Sequence, residues 1–362
     1  MTLVLLLLCS GFVDFTFSSN RLRHFRFNES IKENWTHSLN ECKQNNESFV
    51  TLYDEEDAMF TANFTNKKVW LGLRKERNIT WSNGQPFTFN KSSVPVTDGT
   101  QMCQAIENKT WEVDFCSTPK YFMCWRKDTN NYTLVEIKKT WCQARQYCRN
   151  RDDDLVSISD EEQNNQVIEK GNNTSFWIGL MHDEWEWEDK GCSSFRKWTN
   201  ASIHNPDNCT THRANEEPRL LYRFGCGNTA YLFCSRGRVR IKAIPKKLTW
   251  EEAFNYCEAH YTRLLWIENG EDQKAVEQWL NHTQVDGPFW IGLRQSRIFG
   301  FWIWTSDRVV NYSNWKGVKQ PELPMSNHCG VIDEKDDYTW SDENCLVPLH
   351  FLCEEEIEFM KK

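Results

Sequence analysis

Long apolar runs are nearly absent from this chain. Beyond residue 13 nothing approaches the ~20 apolar residues that a membrane helix needs, and the end, Glu354 to Lys362, is charged. The expectation is a chain without a membrane span. A basic excess is missing too. The formal net charge is −8, which argues against nucleic acid as a partner, because a phosphate-binding face needs positive charge. No Cys-x-x-Cys pair occurs and the His residues are scattered, so a zinc–thiolate centre has no ready ligand set. No His-Glu-x-x-His, Gly-x-Ser-x-Gly or phosphate loop is found either. The chain reads as a binding protein rather than an enzyme.

Several features point to export. The run Leu3 to Leu8 has the length of a signal-peptide core, so a signal peptide over 1–19 is expected, cleaved near Ser18 to Asn20. Of 15 cysteines, Cys9 falls in that leader, and the even remainder suggests a disulfide framework. Asn-x-Ser/Thr sequons recur from Asn28 to Asn311 and imply a glycosylated surface. The protein is expected to be secreted and extracellular.

Eighteen tryptophans find part of their explanation in a repeat. Trp70-Leu71-Gly72-Leu73, Trp177-Ile178-Gly179-Leu180 and Trp290-Ile291-Gly292-Leu293 recur about every 110 residues, near the size of one domain. Ahead of each lies a helix ending in cysteine: Trp35 to Cys42, Trp141 to Cys148, Trp250 to Cys257. Trp250, Ala253 and Cys257 share one helical face, and Thr249 with Glu252 forms a capping box that Thr140 and Gln143 repeat. A second helix is expected over Ser159 to Ile168, with Ser159 and Glu162 as its box. The period then becomes two, as in Trp185-Glu186-Trp187 and Trp302-Ile303-Trp304. Each unit closes on an aromatic strand ending in cysteine, at Cys124, Cys234 and Cys353. Linkers such as Trp125 to Asn130 are too short for free swinging.

This order resembles the C-type lectin-like domain family over nearly the whole mature chain, in a layout similar to secreted relatives of the macrophage mannose receptor group. The resemblance implies an α+β fold: three tandem domains at 20–126, 130–236 and 238–356, each with two helices, antiparallel sheets and a long loop. It makes the Trp-x-Gly-Leu residues core rather than site. It also implies the pairs Cys42–Cys124, Cys103–Cys116, Cys148–Cys234, Cys209–Cys226, Cys257–Cys353 and Cys329–Cys345. Cys142 and Cys192 remain, either bonded to each other or to another molecule.

In sugar-binding members of that family a Ca²⁺ in the long loop holds the sugar hydroxyls. The ion needs six to eight hard oxygens converging from separate segments. The first domain has Val94-Pro95-Val96 and Trp111-Glu112-Val113 at the ligand positions, so its site reads as lost. The second has Asn205-Pro206-Asp207, but Leu221-Tyr222-Arg223 puts a cation where an acid belongs. The third offers Gln320, Glu322, Asn327, Ser341 and Asp342 as a reduced calcium set, with Gln320, Glu322, Asn327 and Asp342 also contacting sugar. His328 is the one ring between Glu322 and Cys329. Two functions follow: a lectin for glycans or glycoproteins, calcium-dependent through the third domain only, or a calcium-independent module for a protein ligand.

Overall fold

The computed structural model of the chain describes residues 21–75, 79–91, 99–129, 131–203, 205–213, 220–296, 299–306, 308–317, 320–321 and 327–360. The expected leader, Val94-Pro95-Val96 and Glu322 lie outside the described residues.

The first repeat supplies β1 (His24–Glu33), α1 (Trp35–Gln44), β2 (Ser48–Phe49), α2 (Glu55–Phe64), β3 (Lys68–Lys75), β4 (Met102–Glu107), β5 (Thr110–Phe115) and β6 (Lys120–Arg126). The second supplies β7 (Asn131–Lys139), α3 (Trp141–Arg149), β8 (Asp154–Leu155), α4 (Glu161–Lys170), β9 (Phe176–His182), β10 (Trp185–Trp187), α5 (Asn200–Ile203), β11 (Cys209–Arg213), β12 (Tyr222–Phe224) and β13 (Ala230–Arg236). The third supplies β14 (Val239–Leu248), α6 (Trp250–His260), β15 (Arg263–Leu264), α7 (Gly270–Leu280), β16 (Phe289–Gln295), β17 (Trp302–Trp304), β18 (His328–Ile332), β19 (Trp340–Asn344) and β20 (Leu349–Glu356). Both expected capping boxes form, at Thr140/Gln143 and Thr249/Glu252. The box expected at Ser159 does not. Asp160 is the N-cap of α4, accepting from the Gln163 amide, because a carboxylate one residue later reaches the orphan N–H groups.

Each helix–strand pair is held by two indoles. The Trp35, Trp141 and Trp250 Nε1 atoms donate to the Leu71, Ile178 and Ile291 carbonyls at 3.2, 2.8 and 2.9 Å. In return Trp70, Trp177 and Trp290 donate to the Glu33, Lys139 and Leu248 carbonyls at 2.8, 3.1 and 3.0 Å. All six rings are buried, and a buried indole needs such a partner. The central glycine brings the strand close. A Cβ on Gly292 would stand 3.0 Å from the Leu265 carbonyl that its own N–H engages. These residues form core, as expected.

The third repeat closes on itself in the order β14-β20-β16-β18-β19. The first two do not. One sheet runs β1-β13-β3-β11-β12 and the other β5-β4-β9-β6-β7. The connectivity is the same in all three, but the first two repeats have exchanged their closing halves. After β3 ends at Lys75, Trp81 bridges Leu180 of β9. Correspondingly, β10 pairs with β3, Trp187 opposite Leu73. Between the repeats, β6 and β7 form a hairpin, Arg126 opposite Asn131.

The expected pairs Cys42–Cys124 and Cys148–Cys234 are therefore corrected. The bonds are Cys42–Cys234 and Cys124–Cys148, because each helix cysteine meets the closing strand of the other repeat. The remaining implied pairs form. Cys142 and Cys192 are bonded to each other, which ties α3 of one exchanged unit to the turn after β10 in the other.

The third unit packs on the first through Phe25, Phe60 and Trp279, with Phe60 stacked on Trp279 at 4.5 Å. Beside them lies a buried charge cluster. Arg240 pairs with Asp54, Asp57 and Glu355 at 2.5, 3.2 and 2.8 Å, and Lys242 with Asp54 and Glu56. Burial alone would raise the Asp54 carboxyl, yet Arg240 and Lys242 hold it well below the usual carboxylate range. The segment after β20 then crosses to both exchanged units. Cys192 N–H donates to the Glu358 carbonyl, and Met360 N–H to that of Lys190, each at 2.6 Å. Arg145 donates to the Phe359 carbonyl. Burial and the like charge of Glu355 push the Glu358 carboxyl up to about 8, against the pull of Lys139 and Arg145.

Three outcomes are expected. Non-reducing peptide mapping should recover Cys42 with Cys234 and Cys124 with Cys148; peptides linking Cys42 to Cys124 would show unexchanged repeats. Arg240→Ala leaves Asp54 and Asp57 partly unpaired inside the interface and should destabilise the protein by about 3–5 kcal/mol in denaturant titration. Glu358 is raised in the folded state, so its contribution is present below its unfolded value and lost as pH rises through about 8. Melting temperature should fall as pH rises from about 4.5 to about 8 and level off above that, and Glu358→Gln should flatten the fall.

Candidate functional site

The sheet of the third unit sets up the expected ligand positions. β18 runs antiparallel to β19 with Gly330 opposite Asp342 and His328 opposite Asn344. His328 lies two residues from Gly330 and so shares a sheet face with Asp342. The Asp342 Oδ2 atom meets His328 Nδ1 directly in a short contact. Gly330 is needed for the ladder, since a Cβ there would sit 2.7 Å from Leu293 Cβ on β16. Cys329–Cys345 closes this end, and the Cys345 N–H donates to the Asn327 carbonyl at 3.0 Å. On the other side of the loop, Trp302 Nε1 donates to the Pro321 carbonyl at 3.1 Å. The first aromatic of the Trp302-Ile303-Trp304 strand thus anchors the loop that carries Gln320.

Trp340 belongs to the core, its Nε1 donating to Gln273 Oε1 at 3.0 Å. Its neighbours Ser341 and Asp342 are half-buried, while Gln320 is exposed. By type, the Gln320 and Asn327 amides, the Ser341 hydroxyl and the Asp342 carboxylate are hard oxygen donors of the kind calcium takes. By number they fall short of six, and Asp342 is engaged by His328. Among the described residues no three His, Cys, Asp or Glu side chains are grouped to hold a metal. The His328–Asp342 pair was not evident in the sequence. It depends on strand register, which places residues fourteen apart side by side.

The corresponding position in the second repeat is filled by a cation. Arg223 is buried, with its guanidinium carbon 4.9 and 5.0 Å from the Trp185 and Trp198 ring centres. Its Nη1 donates to the Asn205 carbonyl at 2.9 Å. The arginine thus ties the Asn205-Pro206-Asp207 segment down from the place where a carboxylate was absent. In the first repeat, Glu112 accepts from Thr110 at 3.2 Å on an exposed edge strand. The acidic turn Asp333 to Asp337 is a single 3₁₀ turn with Lys335 exposed, a solvated feature.

Among the described residues no helix is long and apolar enough to cross a membrane. The chain is similar to the secretory phospholipase A2 receptor of Homo sapiens, 22% identical over 271 residues, which covers 63% of this chain and 18% of the receptor. It is also similar to C-type mannose receptor 2 of Homo sapiens, 31% identical over 106 residues, 29% of this chain and 7% of that protein. This chain therefore spans less than a fifth of the receptor's length. A solved calcium-independent type II antifreeze protein is 24% identical, with a TM-score of 0.30, covering 34% of this chain and 89% of its own. The model of the lectin C-type domain matches residues 31–126, 137–236 and 246–355. With three matches and three sheets of one connectivity, this chain belongs to the lectin C-type domain family.

Proposed function

We propose that this protein is an extracellular, secreted carbohydrate-recognising protein that binds glycans or glycoproteins rather than catalysing a reaction, and that the loop face of the third unit is its working surface. One observation carries the assignment. Among the described residues, only that unit combines an anchored proline loop with a half-buried carboxylate, Asp342, on the adjacent strand pair. The equivalent place in the second repeat is filled by Arg223.

Calcium is the ion this surface would take, with Gln320, Asn327, Ser341 and Asp342 as donors and Glu322 as a further carboxylate. Bound there, it would supply coordination for sugar hydroxyls. A reduced carboxylate count gives weak, millimolar affinity. His328 competes for Asp342, which weakens the site further. That competition favours the second reading, a calcium-independent surface for a protein ligand.

Thermal melting of the full chain separates the two. Calcium at about 10 mM should raise the third unit's transition, since a ligand that prefers the native state stabilises it. Asp342→Asn should remove the rise. His328→Ala should enlarge it by freeing the carboxylate. A flat response in both the wild type and His328→Ala would transfer the assignment to the protein-binding reading. A glycan array run in calcium and then in chelator reports the sugar side of the same question.

A further inference from the structure

A cavity of about 500 Å³ opens where the second and third units meet the segment after β20. Five arginines from separate stretches line it: Arg21 ahead of β1, Arg149 at the end of α3, Arg238 between β13 and β14, Arg263 on β15 and Arg308 beyond β17. In a chain of net charge −8, that convergence runs against the overall balance.

The five are not equivalent. Arg21 is engaged on all sides, by Asp272, Glu354 and the Trp266 carbonyl. Arg149 is held by Asp154 and by the Ser82 and Met360 carbonyls. These two brace the walls. Arg308 is mostly exposed, touching Glu268 at 3.3 Å and lying 4.8 Å from the Trp266 ring centre. Arg263 reaches Glu354 only at 3.9 Å, and that carboxylate already serves Arg21 at 2.6 Å. Arg238 is exposed and has no acidic partner among the described residues. A guanidinium presents five N–H donors, so these three carry more donors than the protein supplies acceptors. Of the two acids lining the cavity, Glu354 is buried and neutralised, and Glu356 stands exposed at the rim.

We propose that this cavity binds an anionic substituent, a sulfate ester or carboxylate, carried on an oligosaccharide, with Arg238, Arg263 and Arg308 as its contacts. Planar guanidinium forks match the oxygens of such groups. The volume suits one or two sugar rings rather than a protein surface. The saccharide part rests on the carbohydrate reading above; the anion part does not, and it needs no calcium.

The test is calorimetric titration of the full chain, in chelator, with a sulfated disaccharide, its desulfated counterpart, inorganic sulfate and an oligo-glutamate peptide. The sulfated sugar should bind, weaken as salt rises, and exceed inorganic sulfate in affinity at least tenfold. The desulfated sugar should not bind. Replacing Arg238, Arg263 and Arg308 together by Gln should lower affinity at least about thirtyfold, with an unchanged melting temperature showing that the fold is retained. Asp342→Asn should leave this binding intact. Equal binding of the desulfated sugar, or retention by the triple variant, overturns the site. Inorganic sulfate or oligo-glutamate matching the sulfated sugar overturns its assignment to a saccharide. Absence of neutral-glycan binding on an array even in calcium, with sulfated binding kept, overturns the third-unit reading instead.

Discussion

Two indole N–H groups, each donating to the backbone of the other's segment, are the contacts on which each unit depends. Trp35 and Trp70, Trp141 and Trp177, Trp250 and Trp290 are buried in full, where an unpaired polar group is expensive. Each pair therefore fixes how helix and strand cross. The Trp-x-Gly-Leu glycines then let the β2, β8 and β15 segments come within hydrogen-bond reach, as Gly179 N–H does with the Val156 carbonyl at 2.8 Å. Everything in this lock comes from the opening half of a repeat. It is indifferent to which closing half completes the sheet.

That indifference is what the exchange of halves uses. Phe122-Met123-Cys124 and Leu232-Phe233-Cys234 present the same shape to a waiting helix cysteine and parallel strand. Four residues, 127–130, join β6 to β7, and a hairpin over so short a connection is a low-entropy solution. The result is a second unit, 80–182, that is continuous in sequence and inserted into the first. Cys142–Cys192 then fastens the two together across the crossing point. Exchange of identical elements is inexpensive when the contacts are the same in both arrangements.

The same assembly decides which side chains fill the loop faces. Arg223, Trp185 and Trp198 close one loop face around a cation, while in the third unit the half-buried Asp342 carboxylate meets His328. The arginine-lined cavity exists only because the third unit and its closing segment rest on α3, with Arg145 and Arg149 donating to the Phe359 and Met360 carbonyls.

The sequence by itself determined the three repeats, the helix caps at Thr140 and Thr249 and the buried tryptophans, because each is written in local spacing, and its family resemblance implied the α+β class and the four disulfides that form as expected, Cys103–Cys116, Cys209–Cys226, Cys257–Cys353 and Cys329–Cys345. It also located the third unit's loop and the cation at Arg223, through residue type at aligned positions. Tertiary structure alone decided the partners of Cys42 and Cys148, since two closing strands of equal local character compete and the choice lies in chain connection and packing. It alone placed His328 against Asp342, a matter of strand register. It alone gathered Arg21, Arg149, Arg238, Arg263 and Arg308 around one cavity, because no periodicity relates residues that far apart in the chain.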